Sequence, residues 1–198
     1  LTGGIFFFFL RELVIRPTST VTSDREGSVR SIIRHEGFHQ YLFAALGGMT
    51  PSAWFNEGFA VFFENSEVLK NGDLEVHESG RHSETLENLV KDTDLDWEKL
   101  LPGFLDMDYS AFYANAEIDY AIAYGLVYYL MKGAPLERNK PYADILPKYF
   151  AELEKSGDAE AASHVAFEKV DRLKFCNDFV SFWKTPKKRQ DALRKPGF

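Results

Sequence analysis

Hydrophobic and polar positions alternate along this chain in runs that predict a short sheet followed by many helices. Gly3-Gly4 opens an apolar, aromatic run, Ile5 to Leu10, continued by Leu13-Val14-Ile15 and stopped by Pro17. Short runs of β-branched and aromatic residues between Gly and Pro read as one or two strands. After a Ser/Thr loop, Thr18 to Thr22, the stretch Ser23-Asp24-Arg25-Glu26 has the spacing of a capping box. From there Val29, Ile32, Ile33, Phe38, Leu42 and Phe43 supply the buried side of a helix running to about Leu46, with Gly47-Gly48 ending it. Thr50-Pro51 predicts the next start, Thr as cap and Pro in the first turn. That helix carries Trp54, Glu57, Phe59 and Val61 to Phe63 and frays near Asn65.

Lys70-Asn71-Gly72-Asp73 is a tight-turn signal between two short segments, and a polar loop follows, Val76 to Ser83. Short helices are expected around Leu86 to Val90 and Trp97 to Leu101. One long apolar helix is expected from Ala111 to Met131, ended by Gly133. Ile145 to Lys155 is amphipathic, and Ala159 to Val170 and Leu173 to Trp183 complete the helical half. The basic tail, Lys184 to Lys195, reads as a solvated end. With no internal repeat and no linker, the expectation is a single α+β domain over 1–198. A small N-terminal sheet would pack on the motif helix, with sheet and motif helices at about 1–66 and a mainly helical part at about 83–198.

Composition narrows the function classes. A chain of 198 residues with 45% hydrophobic content can bury a sizeable core, to which 18 Phe contribute. A net charge of −7 argues against a nucleic-acid binder. Ile5 to Leu10 is too short to span a bilayer. A lone Cys176 rules out an internal disulfide and leaves the compartment open. The first residue is Leu, so a leader or anchor upstream would be invisible here, and an exported or cell-envelope setting stays open.

The chemistry gathers at Arg34-His35-Glu36-Gly37-Phe38-His39. Residues four apart share one helix face, so His35 and His39 can hold one metal ion, with Glu36 one residue round the helix. Eighteen residues after His39 comes Glu57, inside Trp54-Phe55-Asn56-Glu57-Gly58-Phe59-Ala60. The short link Gly47 to Met49 makes the two helices neighbours and returns Glu57 toward the histidines. Two imidazoles and a carboxylate with a fourth position open form the ligand set of a hydrolytic zinc centre.

This pair of motifs resembles a gluzincin metallopeptidase of the thermolysin and aminopeptidase type. More narrowly, it is similar to small bacterial peptidase-MA-like domains of mostly unknown function. The resemblance covers His35 to Glu64 closely and the helix around Tyr120 more loosely. It implies a thermolysin-like zincin fold, one Zn²⁺ per chain held by His35, His39 and Glu57, Glu36 as general base, and a peptide or protein substrate. It also implies a downstream Tyr or His that stabilises the oxyanion. In Asp119-Tyr120-Ala121-Ile122-Ala123-Tyr124-Gly125 we favour Tyr120, with Tyr124 as rival, both also readable as core aromatics on a buried helix. His77 and His82 are alternative electrophiles in the polar loop, and His164 reads as structural. Asn56 and Glu64 are the sequence-local candidates for fixing the imidazole tautomers.

Three departures shape the expectation. Gly37 is an unusual helix residue, costing about 1 kcal/mol relative to Ala, and invites close approach by a substrate or a neighbouring strand. The spacing to Glu57 is one residue shorter than in the aminopeptidases. The Gly-x-Met-Glu-Asn segment that anchors a free substrate N-terminus there is missing, which favours an endopeptidase. The edge for an extended peptide would then fall to the Ile5 to Ile15 region. The reading is a zinc-dependent endopeptidase; the alternative is an inactive zincin-fold peptide-binding module. Oligomeric state is not readable.

Overall fold

The computed structural model describes residues 3–16, 27–136 and 140–193. It is a mainly helical α+β architecture with a small N-terminal two-stranded sheet and a mostly helical C-terminal half. The segments Thr18 to Thr22 and Ser23 to Glu26, with Pro17, lie outside the described residues.

Strands β1 (Gly4–Phe7) and β2 (Glu12–Ile15) pair antiparallel, Gly4 opposite Ile15 and Phe7 opposite Glu12. Alternation along a strand turns Gly4, Phe6, Leu13 and Ile15 toward one side and Ile5, Phe7 and Val14 toward the other, where they are exposed. Gly4 lies directly on the first helix: a Cβ there would stand 2.8 Å from Ile32 Cγ2. Helix α1 (Val29–Ala45) begins at Ser28, whose side chain accepts from the Ser31 amide. It ends at Gly47 and Gly48, both at positive φ. Ile32 and Leu42 are buried on its inner face as expected, whereas Ile33 is exposed.

Helix α2 (Ala53–Glu64) is the centre of the molecule, packed on α1 and on α6 (Ala116–Tyr128). Its start is two residues later than Thr50-Pro51 predicts. Ser52 occupies the cap position without a side-chain cap bond, because its hydroxyl serves Ala159 O and Ser163 and its amide donates to Tyr149 Oη. Tertiary contacts, rather than local capping, set this boundary. Trp54 donates to the same Ser163. The turn at Gly72 joins β3 (Ser66–Val68) to β4 (Leu74–Val76) as expected.

The polar loop is shorter than the sequence suggests. Ser79 caps α3 (Gly80–Lys91) by accepting from the His82 amide, so His82 and Ser83 sit on a helix and are buried. Helix α4 (Trp97–Leu105) follows. The long helix expected from Ala111 to Met131 is instead broken. Helix α5 (Tyr109–Ala114), capped by Asp108, stops at Asn115, which also begins α6, and a π turn, Tyr129–Gly133, closes α6. At Asn115 the backbone leaves the helical region, φ −122° and ψ 39°, so α5 can turn away from the axis of α6.

Short helices α7 (Ala134–Leu136) and α8 (Lys140–Ala143) lead to α9 (Ile145–Ser156), α10 (Ala159–Phe167), α11 (Arg172–Lys184) and α12 (Pro186–Leu193). The described part of the tail, through α12, is mostly exposed as expected, with one exception. Arg189 is buried, donating to Glu78 (3.0 Å), Glu87 and the Trp183 carbonyl, with its guanidinium over the Trp183 ring. No helix among the described residues is long and apolar enough to cross a membrane.

Candidate metal centre

Helix α1 carries His35 and His39 on one face; α2 crosses it and brings Glu57. The Nε2 atoms of His35 and His39 each stand 3.6 Å from Glu57 Oε2. The three ligand atoms all lie within 4.8 Å of one another. Zinc bonds of about 2.0–2.2 Å in a tetrahedron put ligand atoms about 3.3–3.6 Å apart, so the spacing suits one ion. Glu57 Oε2 is buried and has no hydrogen-bond partner, since 3.6 Å is too long for one. A buried carboxylate oxygen left unsatisfied costs free energy that a cation between these three groups would recover. The donor set and its spacing therefore fit a metal ion.

The imidazole tautomers are set from behind. His35 Nδ1 lies 3.1 Å from Glu64 Oε2, and a carboxylate can only accept, so this nitrogen carries the hydrogen and Nε2 faces Glu57. His39 Nδ1 lies 2.9 Å from Asn56 Oδ1. The amide orientation is fixed in turn, because Asn56 Nδ2 donates to Tyr109 Oη and that hydroxyl donates to the Pro51 carbonyl. Asn56 and Glu64 thus stand where sequence proximity suggested. Arg34 adds two bonds to the Glu64 carbonyl, tying α1 to the end of α2.

Charge is concentrated here. Burial alone would lower the pKa of His35, but the carboxylates of Glu57 and Glu64 outweigh it and raise the value to about 10. Burial alone would raise Glu57; the two imidazoles reverse that and hold it well below the usual carboxylate range. Burial and the nearby Glu57 charge push Tyr113 and Tyr120 well above the ordinary tyrosine value, so both hydroxyls stay protonated donors.

Glu36 is buried, and its Oε2 accepts the Phe6 amide of β1 at 3.0 Å. Tyr120 lies beside the centre, its ring stacked 6.4 Å from that of His35 and 6.3 Å from that of His82. Tyr124 is fully buried with its hydroxyl accepting the Ser79 amide, a core position. His77 is exposed, 4.0 Å from Glu67, and His164 lies at the surface between Asp106 and Glu160. Cys176 is buried. Among the described residues, a Cβ at Gly37 would meet nothing within 4 Å, and no strand approaches α1 there.

Two residues escaped sequence reasoning. Tyr109 braces Asn56, and Tyr113 donates to Glu57 Oε1 at 2.7 Å. Both ride on α5, whose separation from α6 was the missed feature. Asp108, one residue before Tyr109, and Asn115 were the available signals, a cap and a breaker inside an apolar stretch.

The sequence pattern of the family described as "Protein of unknown function (DUF1570)" matches residues 29–149, more than half of the chain. The chain belongs to that family. The DUF1570 match starts with α1 and ends at Tyr149, so it takes in both ligand helices, α5 and α6. No curated protein and no solved structure matches the chain.

Proposed function

We propose that this chain is a zinc-dependent peptidase with a zincin-like catalytic domain, acting as an endopeptidase. One observation carries the reading: His35 Nε2, His39 Nε2 and the unpartnered Glu57 Oε2 converge, each imidazole oriented by its own acceptor. His35, His39 and Glu57 would hold the ion. Bound zinc would supply Lewis acidity, lowering the pKa of water and polarising the scissile carbonyl. Glu36, next to a ligand on the same helix, takes a proton from the attacking water and later delivers it to the leaving amine. Tyr120, kept protonated by burial and by Glu57, donates to the oxyanion as the carbonyl becomes tetrahedral. The edge of β1 is the region that would meet an extended peptide.

A second reading draws on one contact. The Phe6 amide already engages Glu36, which suits a peptide-binding module that holds metal without turnover. Zinc stoichiometry and cleavage of an unstructured protein, in the parent and in Glu36→Gln, separate the two. One zinc per chain in both proteins, with cleavage in the parent alone, is the result expected of the peptidase. Zinc in both without cleavage in either supports the binding module. Absence of zinc uptake overturns both.

A further inference from the structure

Helix α5, set apart from α6 by the break at Asn115, reaches the centre through Tyr109 and Tyr113. Tyr113, on its last turn, is half exposed, with ring neighbours Tyr109 at 5.9 Å and Tyr120 at 6.4 Å. Its hydroxyl donates to Glu57 Oε1 at 2.7 Å, the range of a charge-assisted bond. The two oxygens of Glu57 are therefore used differently: Oε1 is capped by Tyr113, while Oε2 alone faces both imidazoles.

We propose that Tyr113 is a positioning residue that makes Glu57 a one-oxygen ligand, so that a metal held here keeps a position free for a small molecule. The inference rests on the metal reading given above and deepens it. A carboxylate with both oxygens free can chelate an ion through two of them. The Tyr113 bond to Oε1 disfavours that option and fixes the rotation of the carboxylate, the role that hydrogen bonds behind a metal ligand play generally. Tyr109 does the equivalent for His39 through Asn56, so one short helix orients two of the three ligands.

The test is Tyr113→Phe, which keeps the ring and removes only the hydroxyl. Half exposed, the position tolerates this change, and thermal unfolding of the metal-free variant checks that it is unaltered. Metal-free parent and variant are titrated with Co²⁺, whose visible absorption is intense in four-coordinate sites and weak in sites of higher coordination. The expected result is an intense spectrum for the parent and one several-fold weaker for Tyr113→Phe, with Co²⁺ and Zn²⁺ affinity reduced about 10-fold. Tyr109→Phe should lose affinity to a similar degree while keeping the intense spectrum. An unchanged spectrum and affinity in Tyr113→Phe overturns the inference. A parent that takes up no cobalt or zinc overturns the metal reading itself, and this inference with it.

Discussion

Helices α1 and α2 each carry a glycine close to the His35, His39 and Glu57 group, and the two glycines live in opposite surroundings. Gly58, next to Glu57 on α2, lies so close to α6 that a Cβ would stand 2.5 Å from the Ala123 carbonyl and 2.8 Å from Val127. Gly37, between His35 and His39 on α1, has open space around it among the described residues. The centre is thus built between a closed seam, α2 on α6, and an open face, α1 and its thin hairpin. The seam fixes where Glu57 stands by core packing. A two-stranded hairpin alone is marginal in water, so β1 holds its place, and Glu36 its Phe6 contact, with far less behind it.

The largest effect expected from this contrast is at the seam. Gly58→Ala forces backbone apart and should cost about 3 kcal/mol in denaturant unfolding, with metal uptake falling alongside. A small loss would mean the seam can open. The closed side also holds His82, buried on α3 among Tyr120 and Tyr124. Burial, opposed by Glu64, lowers its pKa to about 4. The unfolded chain takes this proton near pH 6.5 and the folded chain only near 4. Stability is therefore intact above pH 6.5 and falls as pH drops toward 4, by on the order of 3 kcal/mol. Urea midpoints from pH 7 to 4 check it, with His82→Gln flattening the slope. Glu57 and Glu64, whose pKa values are lowered, act below about 4.5. His35 acts with the opposite sign, stabilising below pH 6.5 and losing that contribution as pH rises toward 10.

Intermediate effects belong to the groups that link the two sides. Asn56→Ala and Glu64→Ala should each reduce zinc affinity about 10-fold, or about 1.4 kcal/mol, in a competition titration. On the open face the sign reverses. Gly37→Ala should stabilise the protein by about 1 kcal/mol in thermal unfolding, because the added methyl meets nothing. A large loss at Gly58 with a smaller gain at Gly37 would establish the contrast; destabilisation at both would erase it. The smallest effect is at the hairpin tip, where Phe9 is 88% exposed: Phe9→Ser should change stability by less than about 0.5 kcal/mol.

The sequence made the ligand helices legible because their information is local. A four-residue histidine spacing, a short connection and the neighbours Asn56 and Glu64 place the centre without knowledge of the rest. What it concealed depends on distant partners. Ser52 starts α2 because Tyr149 and Ser163 claim its polar atoms, and Arg189 is drawn inside by Glu78 and Glu87. The break at Asn115 was concealed because apolar residues continue on both sides of it, so periodicity alone reads one helix. That one kink decides whether Tyr109 and Tyr113 reach the ligands.

The Arg189 contact has a practical consequence for where this protein can be cut. The family match stops at Tyr149, yet α11 and α12 lie beyond it, with Trp183 seated on Gly125 and Arg189 bridging Glu78 and Glu87 in the segment around α3. A fragment trimmed to 29–149 would expose the flank of α6 and leave Glu78 and Glu87 without their cation. It would also lose the hairpin that touches Glu36. Expression boundaries should therefore run from before Gly4 to beyond Arg189, and fragments drawn to the family limits should aggregate or be proteolysed.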